Sequence, residues 1–223
     1  MTGEGEETFL ELCESYAKAG IGEMAEKMNL SGIKGIMYRA GESLVKTGAR
    51  EPLDLNRIPF CYGGVEDFRN RIIYYESSRG CPFRCSYCLS SVEKTLRFRD
   101  VERVKKELAF FLEQEVAQVK FVDRTFNCRH EHAMEIWKFL IEHDNGVTNF
   151  HFEISADLLT DEEIALIGQM RPGLIQLEIG VQSTNDATIT EIHRTMQLDR
   201  LKAVVRSIQE KENIHEHLDL IAG

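Results

Sequence analysis

Apolar and polar positions change rhythm near residue 70. Before it, apolar residues come in short groups broken by glycine and proline. "EETFLELCESYAKAG" places Phe9, Leu12, Cys13 and Tyr16 at helical spacing, which predicts an amphipathic helix stopped by Gly20. "GIKGIMYR" and "ESLVKTG" have strand-like patterning between glycine breaks. "EPLDLNRIPFCYGG", with Pro52, Pro59 and the Gly63–Gly64 pair, reads as a linker. From Arg71 two periods take turns. Strand-like "RIIYYES", "VAQVKFVDRTF", "NFHFEISAD", "GLIQLEIGVQS" and "EHLDLIAG" are separated by helical segments. These are "RDVERVKKELAFFLEQ", "EHAMEIWKFLIEH", "TDEEIALIGQM" with Thr160 or Asp161 as N-cap, and a stretch from about Asp199 to Glu212. Such alternation implies βαβ units and a parallel sheet. The fold class expected is α/β, a partial TIM-type barrel of about five parallel strands over residues 65–223, after a small α+β extension over residues 1–64.

Three charges stand out against that pattern. Glu153, Glu178 and Asp219 sit inside strands that a parallel sheet should bury on both faces. In a parallel barrel, inward positions near the C-terminal strand ends line the active site, a better home for these charges than a core.

Composition narrows the function classes. A chain of 223 residues can bury a sizeable core, and 43% hydrophobic with 29% charged residues is ordinary for a soluble globule. No apolar run reaches the ~18 residues of a membrane span, and "MTGEGEETF" has neither a basic n-region nor an apolar h-region. A cytoplasmic location is expected, where thiols stay reduced. A net charge of −10 argues against a broad phosphate-binding surface, so nucleic acid is not an expected partner.

The densest chemistry lies in "SSRGCPFRCSYC", directly after the first strand. Cys81, Cys85 and Cys88 form C-x3-C-x2-C. Zinc wants four ligands, and with no second C-x2-C pair the fourth would have to be Cys61, Cys128 or a histidine. A disulfide suits a reducing compartment poorly. Three thiolates on one tight loop suit a 4Fe–4S cube whose fourth iron stays open to a small ligand. Cys13, Cys61 and Cys128 are expected to be buried small hydrophobes. His130 and His132, at a helix start, do not share a face, whereas His217 has the strand parity of Asp219.

The cysteine spacing, its place after strand one, and Tyr87 just before the third cysteine closely resemble radical S-adenosylmethionine (radical SAM) enzymes. The resemblance runs from about Tyr74 to Gly223. It is closest to the branch of oxygen-independent coproporphyrinogen oxidases, elongator-type proteins and cobalamin-binding radical SAM proteins. It implies a radical SAM barrel with Cys81, Cys85 and Cys88 as cluster ligands. The open iron would chelate S-adenosylmethionine, and the reduced cluster would cleave it to methionine and a 5′-deoxyadenosyl radical. An electron donor such as flavodoxin or ferredoxin is implied, with a small-molecule or peptide substrate that the sequence does not identify. The runners-up are an elongator- or methylthiotransferase-like RNA modifier, against which the acidic balance speaks, and a non-catalytic iron–sulfur or zinc protein.

The resemblance also assigns cofactor contacts. It implies Tyr75, six residues before the first cysteine, at the cofactor, and Tyr87 at the adenosine. Glu153 in "HFEIS", Gln182 in "GVQS", Arg194 in "IHRT" and Asp219 in "LDLIAG" are implied to hold the ribose, amino group and carboxylate. The residue types fit, since Arg194 can pair a carboxylate bidentately and the acids can accept from ammonium and hydroxyl groups. Glu178 shares the face of Gln182, deeper along the strand. Many relatives carry a glycine-rich turn ending in an acid after strand two; here "VDRTFN" leaves only Asp123 as a candidate for the amino group. Relatives continue past strand five, so a truncated product or a short homologue is expected. The segment before the barrel looks like a junction to a cobalamin-binding domain. It holds no D-x-H-x-x-G stretch, and cobalamin is not expected to bind this chain.

Overall fold

Apolar alternation after residue 70 builds a parallel sheet covered by helices. The computed structural model describes residues 1–19, 28–63, 70–91 and 95–221. Gly20, Gly64, the end of "LDLIAG" and the expected boundary between 64 and 65 lie outside the described residues. The chain divides into two units, Met1–Arg57 and Ile58–Gly223.

In the first unit, α1 (Glu6–Ala19) and a hairpin of β1 (Met37–Ala40) and β2 (Ser43–Lys46) match the expected elements. The two strands pair antiparallel, and Gly41 takes the left-handed conformation (φ +61°) that the tight turn requires. The apolar face of α1 is not packed as expected. Phe9 is 60% exposed, and Cys13 is exposed too. Thr8 is the buried residue of this helix, and its hydroxyl donates to Lys34 O at 3.2 Å. Arg50 clamps the same helix through Glu7 (3.2 Å) and Glu11 (2.6 Å). Polar contacts hold this helix where amphipathic packing was predicted.

In the second unit the main strands are β3 (Ile72–Tyr75), β6 (Gln118–Phe121), β7 (Asn149–Ile154), β8 (Ile175–Gln182) and β9 (His215–Leu220). Between β3 and β6 lie a two-residue ribbon, β4 (Ser78–Arg79) with β5 (Arg97–Phe98), and helix α2 (Val101–Glu113). The sheet order β3-β6-β7-β8-β9 is parallel throughout, as the alternation predicts. Helices α3 (His130–Glu142), α4 (Asp161–Ile167), α5 (Asp186–Glu191) and α6 (Leu198–Gln209) complete it. Thr160 is the N-cap of α4, in a reciprocal capping box with Glu163. Helix α5 was not predicted.

Strand alternation sorts the side chains into two populations. Ile73, Val119, Phe150 and Ile175 share one register row on the outward face, buried under Leu108, Phe111, Ile136 and Trp137 of the helices. Phe121, Phe126 and Phe152 pack ring to ring at centroid distances of 4.3–5.3 Å. Each such ring contributes about 1.5–3 kcal/mol by leaving water. The opposite face carries Lys120, His151, Glu153, Glu178, His217 and Asp219. Outward positions build the fold and leave the inward ones free for chemistry.

Candidate active site

The cysteine loop is held at its base before it reaches the cavity. Gly80 has φ +104°, and a Cβ there would stand 2.5 Å from Thr95 O, so only glycine lets the returning chain pass. Asp123, fully buried, accepts from Ser77 N at 3.0 Å, Ser77 Oγ at 2.7 Å and the Ser78 hydroxyl. Buried His132 closes this group, with Nε2 3.1 Å from Ser77 Oγ. Burial lifts the Asp123 carboxyl to about 6, against the pull of its serine donors, and pushes the His132 imidazole down to about 4.

Past this anchor, the three thiols face one cavity of about 210 Å³ at the C-terminal ends of the strands. Cys85 is buried, Cys81 and Cys88 half-buried. Cys81 Sγ lies 3.7 Å from Thr125 Oγ1, and Ser86 N donates to Ile192 O at 2.9 Å, which ties the loop to the end of α5. Tyr87, Glu153, Gln182, Arg194 and Asp219 line the same space, with Glu178 deeper. Eight of the ten expected site residues therefore share one cavity, brought from the loop, β7, β8, the α5 exit and β9.

Two expected residues lie elsewhere. Tyr75 has outward parity and is 4% exposed; its hydroxyl donates to Glu107 Oε2 at 2.6 Å, and Arg99 Nη1 pairs with the same oxygen at 2.6 Å. It belongs to the packing of β3 on α2. Asp123 shares the outward parity of Phe121 and is spent on the loop base. Neither lines the cavity. Conversely, Phe83, Ser90, Arg124, Thr125, Ser155 and Gly180 line it without having been singled out. Strand parity from Lys120 points to Arg124, and from Gln182 to Gly180.

Arg194 is placed by backbone geometry. His193, left-handed at φ 53°, ends α5, with His193 N donating to Thr190 O and Arg194 N to Ile189 O, both at 3.1 Å. That reversal throws the guanidinium back over β8, where Nη2 donates to Gly180 O. Nη1 lies 3.5 Å from Tyr87 Oη and 3.9 Å from Cys85 Sγ. A Cβ on residue 180 would meet Gln182 Nε2 at 2.6 Å and Arg194 Nη2 at 3.4 Å, so glycine makes the room. Gln182 is itself left-handed (φ 67°) at a register shift against β9. A non-glycine residue in this conformation costs on the order of 1 kcal/mol or more, and such strain gathers at functional sites.

The cavity floor is a charge network. Lys120 Nζ stands 2.9 Å from Glu178 Oε2 and 3.8 Å from Glu153 Oε1. His151 Nε2 is also 2.9 Å from Glu178 Oε2, though its angle misses that of a hydrogen bond. Burial raises Glu153, helped by neighbouring Glu178. Burial pushes Glu178 up as well, but the bond from Lys120 and the nearby charges of Lys120 and His151 outweigh it and hold this carboxyl low.

A cofactor of the implied kind fits this donor set. Three free thiols line one space, and Arg194 Nε is buried there without a partner. Among the described residues, no three His, Cys, Asp or Glu side chains gather tightly enough to hold a single metal ion. A structural zinc needs such a point of convergence, whereas a cube takes each thiolate at a separate iron.

The parallel half-barrel with three thiols at its mouth defines a class, and the comparisons name it. The radical SAM superfamily model matches residues 75–222, and the chain belongs to that superfamily. It is 24% identical over 225 residues to the anaerobic magnesium-protoporphyrin IX monomethyl ester cyclase of Rubrivivax gelatinosus, covering 96% of this chain and 40% of that protein. It is 26% identical over 243 residues to the cobalamin-dependent radical SAM methyltransferase TokK of Streptomyces tokunonensis, covering 99% of this chain and 34% of that protein. Thus the chain spans two fifths or less of these relatives' lengths. The methyltransferase TsrM of Kitasatospora setae, solved with cobalamin and a 4Fe–4S cluster, superposes at TM-score 0.78 with 15% identity, covering 100% of this chain and 46% of that one. Apo OxsB, a cobalamin-dependent S-adenosylmethionine radical enzyme, gives 0.75 with 18% identity, covering 98% and 32%. These likenesses agree with the expected partial barrel. Among the described residues no helix is long and apolar enough to cross a membrane.

Proposed function

We propose that this chain carries the catalytic core of a radical SAM enzyme, with a 4Fe–4S cluster on Cys81, Cys85 and Cys88 and S-adenosylmethionine in the adjoining cavity. The observation that carries this is the convergence of the three thiols with Tyr87, Glu153, Gln182, Arg194 and Asp219 on one space. Bound there, the cluster and S-adenosylmethionine would supply one-electron reductive cleavage and a carbon radical for hydrogen abstraction. Arg194, whose buried Nε has no partner, would pair the methionyl carboxylate. Glu153 and Asp219 would accept from the ammonium and ribose hydroxyls, and Gln182 would bond alongside them. Tyr87, whose phenol burial and the Cys85 thiol raise, would stay neutral against the adenosine. The outward aromatic core keeps these groups fixed, the condition for holding reacting atoms in register.

The location we favour is the cytoplasm, where thiols stay reduced and a flavodoxin or ferredoxin can supply the electron. Cobalamin is known in the relatives TokK and TsrM, but we infer that this chain alone binds it weakly. All seven histidines fall at residue 130 or later, none in the D-x-H-x-x-G context of an axial ligand. Equilibrium dialysis against hydroxocobalamin should show no tight complex; near-stoichiometric micromolar binding would contradict this.

Anaerobic reconstitution with iron and sulfide, followed by dithionite and S-adenosylmethionine, tests the main proposal. About four irons per chain, with formation of 5′-deoxyadenosine and methionine, is the expected result. One zinc per chain and no S-adenosylmethionine binding would contradict it.

A further inference from the structure

A second cavity, about 410 Å³, lies beside the cysteine loop. Its volume falls in the range of small-molecule pockets. Ser90 and Arg124 line both this cavity and the first, so any molecule bound here would lie directly beside the contents of the first.

The walls specify a chemistry. Glu76 and Arg79 neutralise one another through a forked pair, with Arg79 Nε donating to Oε1 at 2.9 Å and Nη2 to Oε2 at 2.7 Å. That leaves Arg124, exposed, with a guanidinium that makes no hydrogen bond or ion pair to any described residue. Its charge is felt by Glu153 in the first cavity, whose carboxyl it pulls down against burial and Glu178. Leu89, 89% exposed, and Val122, 36% exposed, supply the apolar part of the wall, beside Ser90. The Ser78 hydroxyl is already committed to Asp123, so it can only accept. A guanidinium with no bonded partner, beside the apolar Leu89 and Val122, fits one anion on an apolar body.

We propose that this second cavity is the substrate subsite, taking an apolar molecule that bears a carboxylate, and that Arg124 is its specificity-determining residue. The assignment of substrate rests on the first cavity holding the cofactor. Arg124 would clamp the carboxylate at the boundary of the two spaces and bring the apolar body within reach of the reacting atoms.

The test uses the full chain, nitrogen-15 labelled and free of cluster and S-adenosylmethionine, titrated with sodium phenylacetate. Saturable shifts are expected at the Gly80, Ser90 and Val122 amides and at Arg124 Nε–Hε. Phenethylammonium, a similar body with the opposite charge, should produce none. Arg124→Gln, at an exposed position, should weaken phenylacetate at least about ten-fold, with Arg124→Lys intermediate. The proposal is overturned if phenethylammonium reproduces the shifts, if Arg124→Gln binds as tightly, or if nothing moves up to about 20 mM phenylacetate. Failure of cluster reconstitution would remove the radical SAM proposal and leave this titration readable, because it needs neither cluster nor cofactor.

Discussion

The two faces of the five-stranded sheet obey different rules. The outward face, with Val119, Phe121, Phe150, Phe152 and Leu177 all at 0% exposure, is a close-packed aliphatic and aromatic core. The inward face of the same strands carries Lys120, His151, Glu153, Glu178 and Asp219, paired to one another or facing a cavity. A purely parallel sheet normally buries apolar residues on both sides. This one gives up apolar burial on one side, and the surrendered positions are those that form the candidate site. Stability and chemistry are thereby separated by the period of a strand, two residues.

The largest expected consequence lies on the outward face. Phe152→Ala removes a ring packed on Phe121 and Phe126 and should cost about 3–5 kcal/mol, read as a lowered denaturation midpoint. A loss under about 1 kcal/mol would show that the core is not packed as described.

Next come two changes that should separate cleanly. Arg194→Ala removes a charge-assisted bond and should weaken S-adenosylmethionine by roughly 10- to 150-fold, about 1.5–3 kcal/mol, by calorimetry on the reconstituted chain. Tyr75→Phe removes the 2.6 Å bond to Glu107 on the other face. It should cost about 1–3 kcal/mol of stability while leaving S-adenosylmethionine affinity unchanged. If Tyr75→Phe altered that affinity with stability intact, the tyrosine would belong to the cofactor site after all.

A smaller effect should appear against pH at the base of the cysteine loop. Asp123, at about 6 against an ordinary 3.8, keeps its proton in the folded chain after the unfolded chain has lost it. Its contribution to stability therefore falls as pH rises from about 4 through 6. His132, at about 4 against 6.5, is protonated first in the unfolded chain, so its contribution falls as pH drops through the same window. The two oppose each other. His132→Gln should leave stability that declines with rising pH between about 4 and 6, and Asp123→Asn the reverse. Denaturant titrations across that range check both slopes.

Much of this division is legible in the sequence. Long periodic segments such as "RDVERVKKELAFFLEQ" fix their helices, and charges inside strands mark the inward face. The failures are local. Tyr75 sits in "RIIYYES", where apolar and aromatic residues fill both parities, so alternation does not say which tyrosine faces inward. Asp123 follows Phe121 at strand parity, and a polar residue there can satisfy itself only through the loop serines, a contact no local pattern reveals. Helix α5, "DATITE", is six residues with Ile189 alone buried, too short for a 3.6-residue period to show. Yet its left-handed exit at His193 is what delivers Arg194 to the cavity.

The cofactor roles assigned to the inward face depend on the three thiols binding a cluster together. Electron paramagnetic resonance of the reduced, reconstituted chain, with iron counted on the same samples, tests that most directly. Alanine at Cys81, Cys85 or Cys88 should abolish the signal, while Cys61→Ala and Cys128→Ala should keep both signal and iron at the level of the unaltered chain. A full signal surviving in any of the first three, or lost in Cys128→Ala, would contradict the assignment.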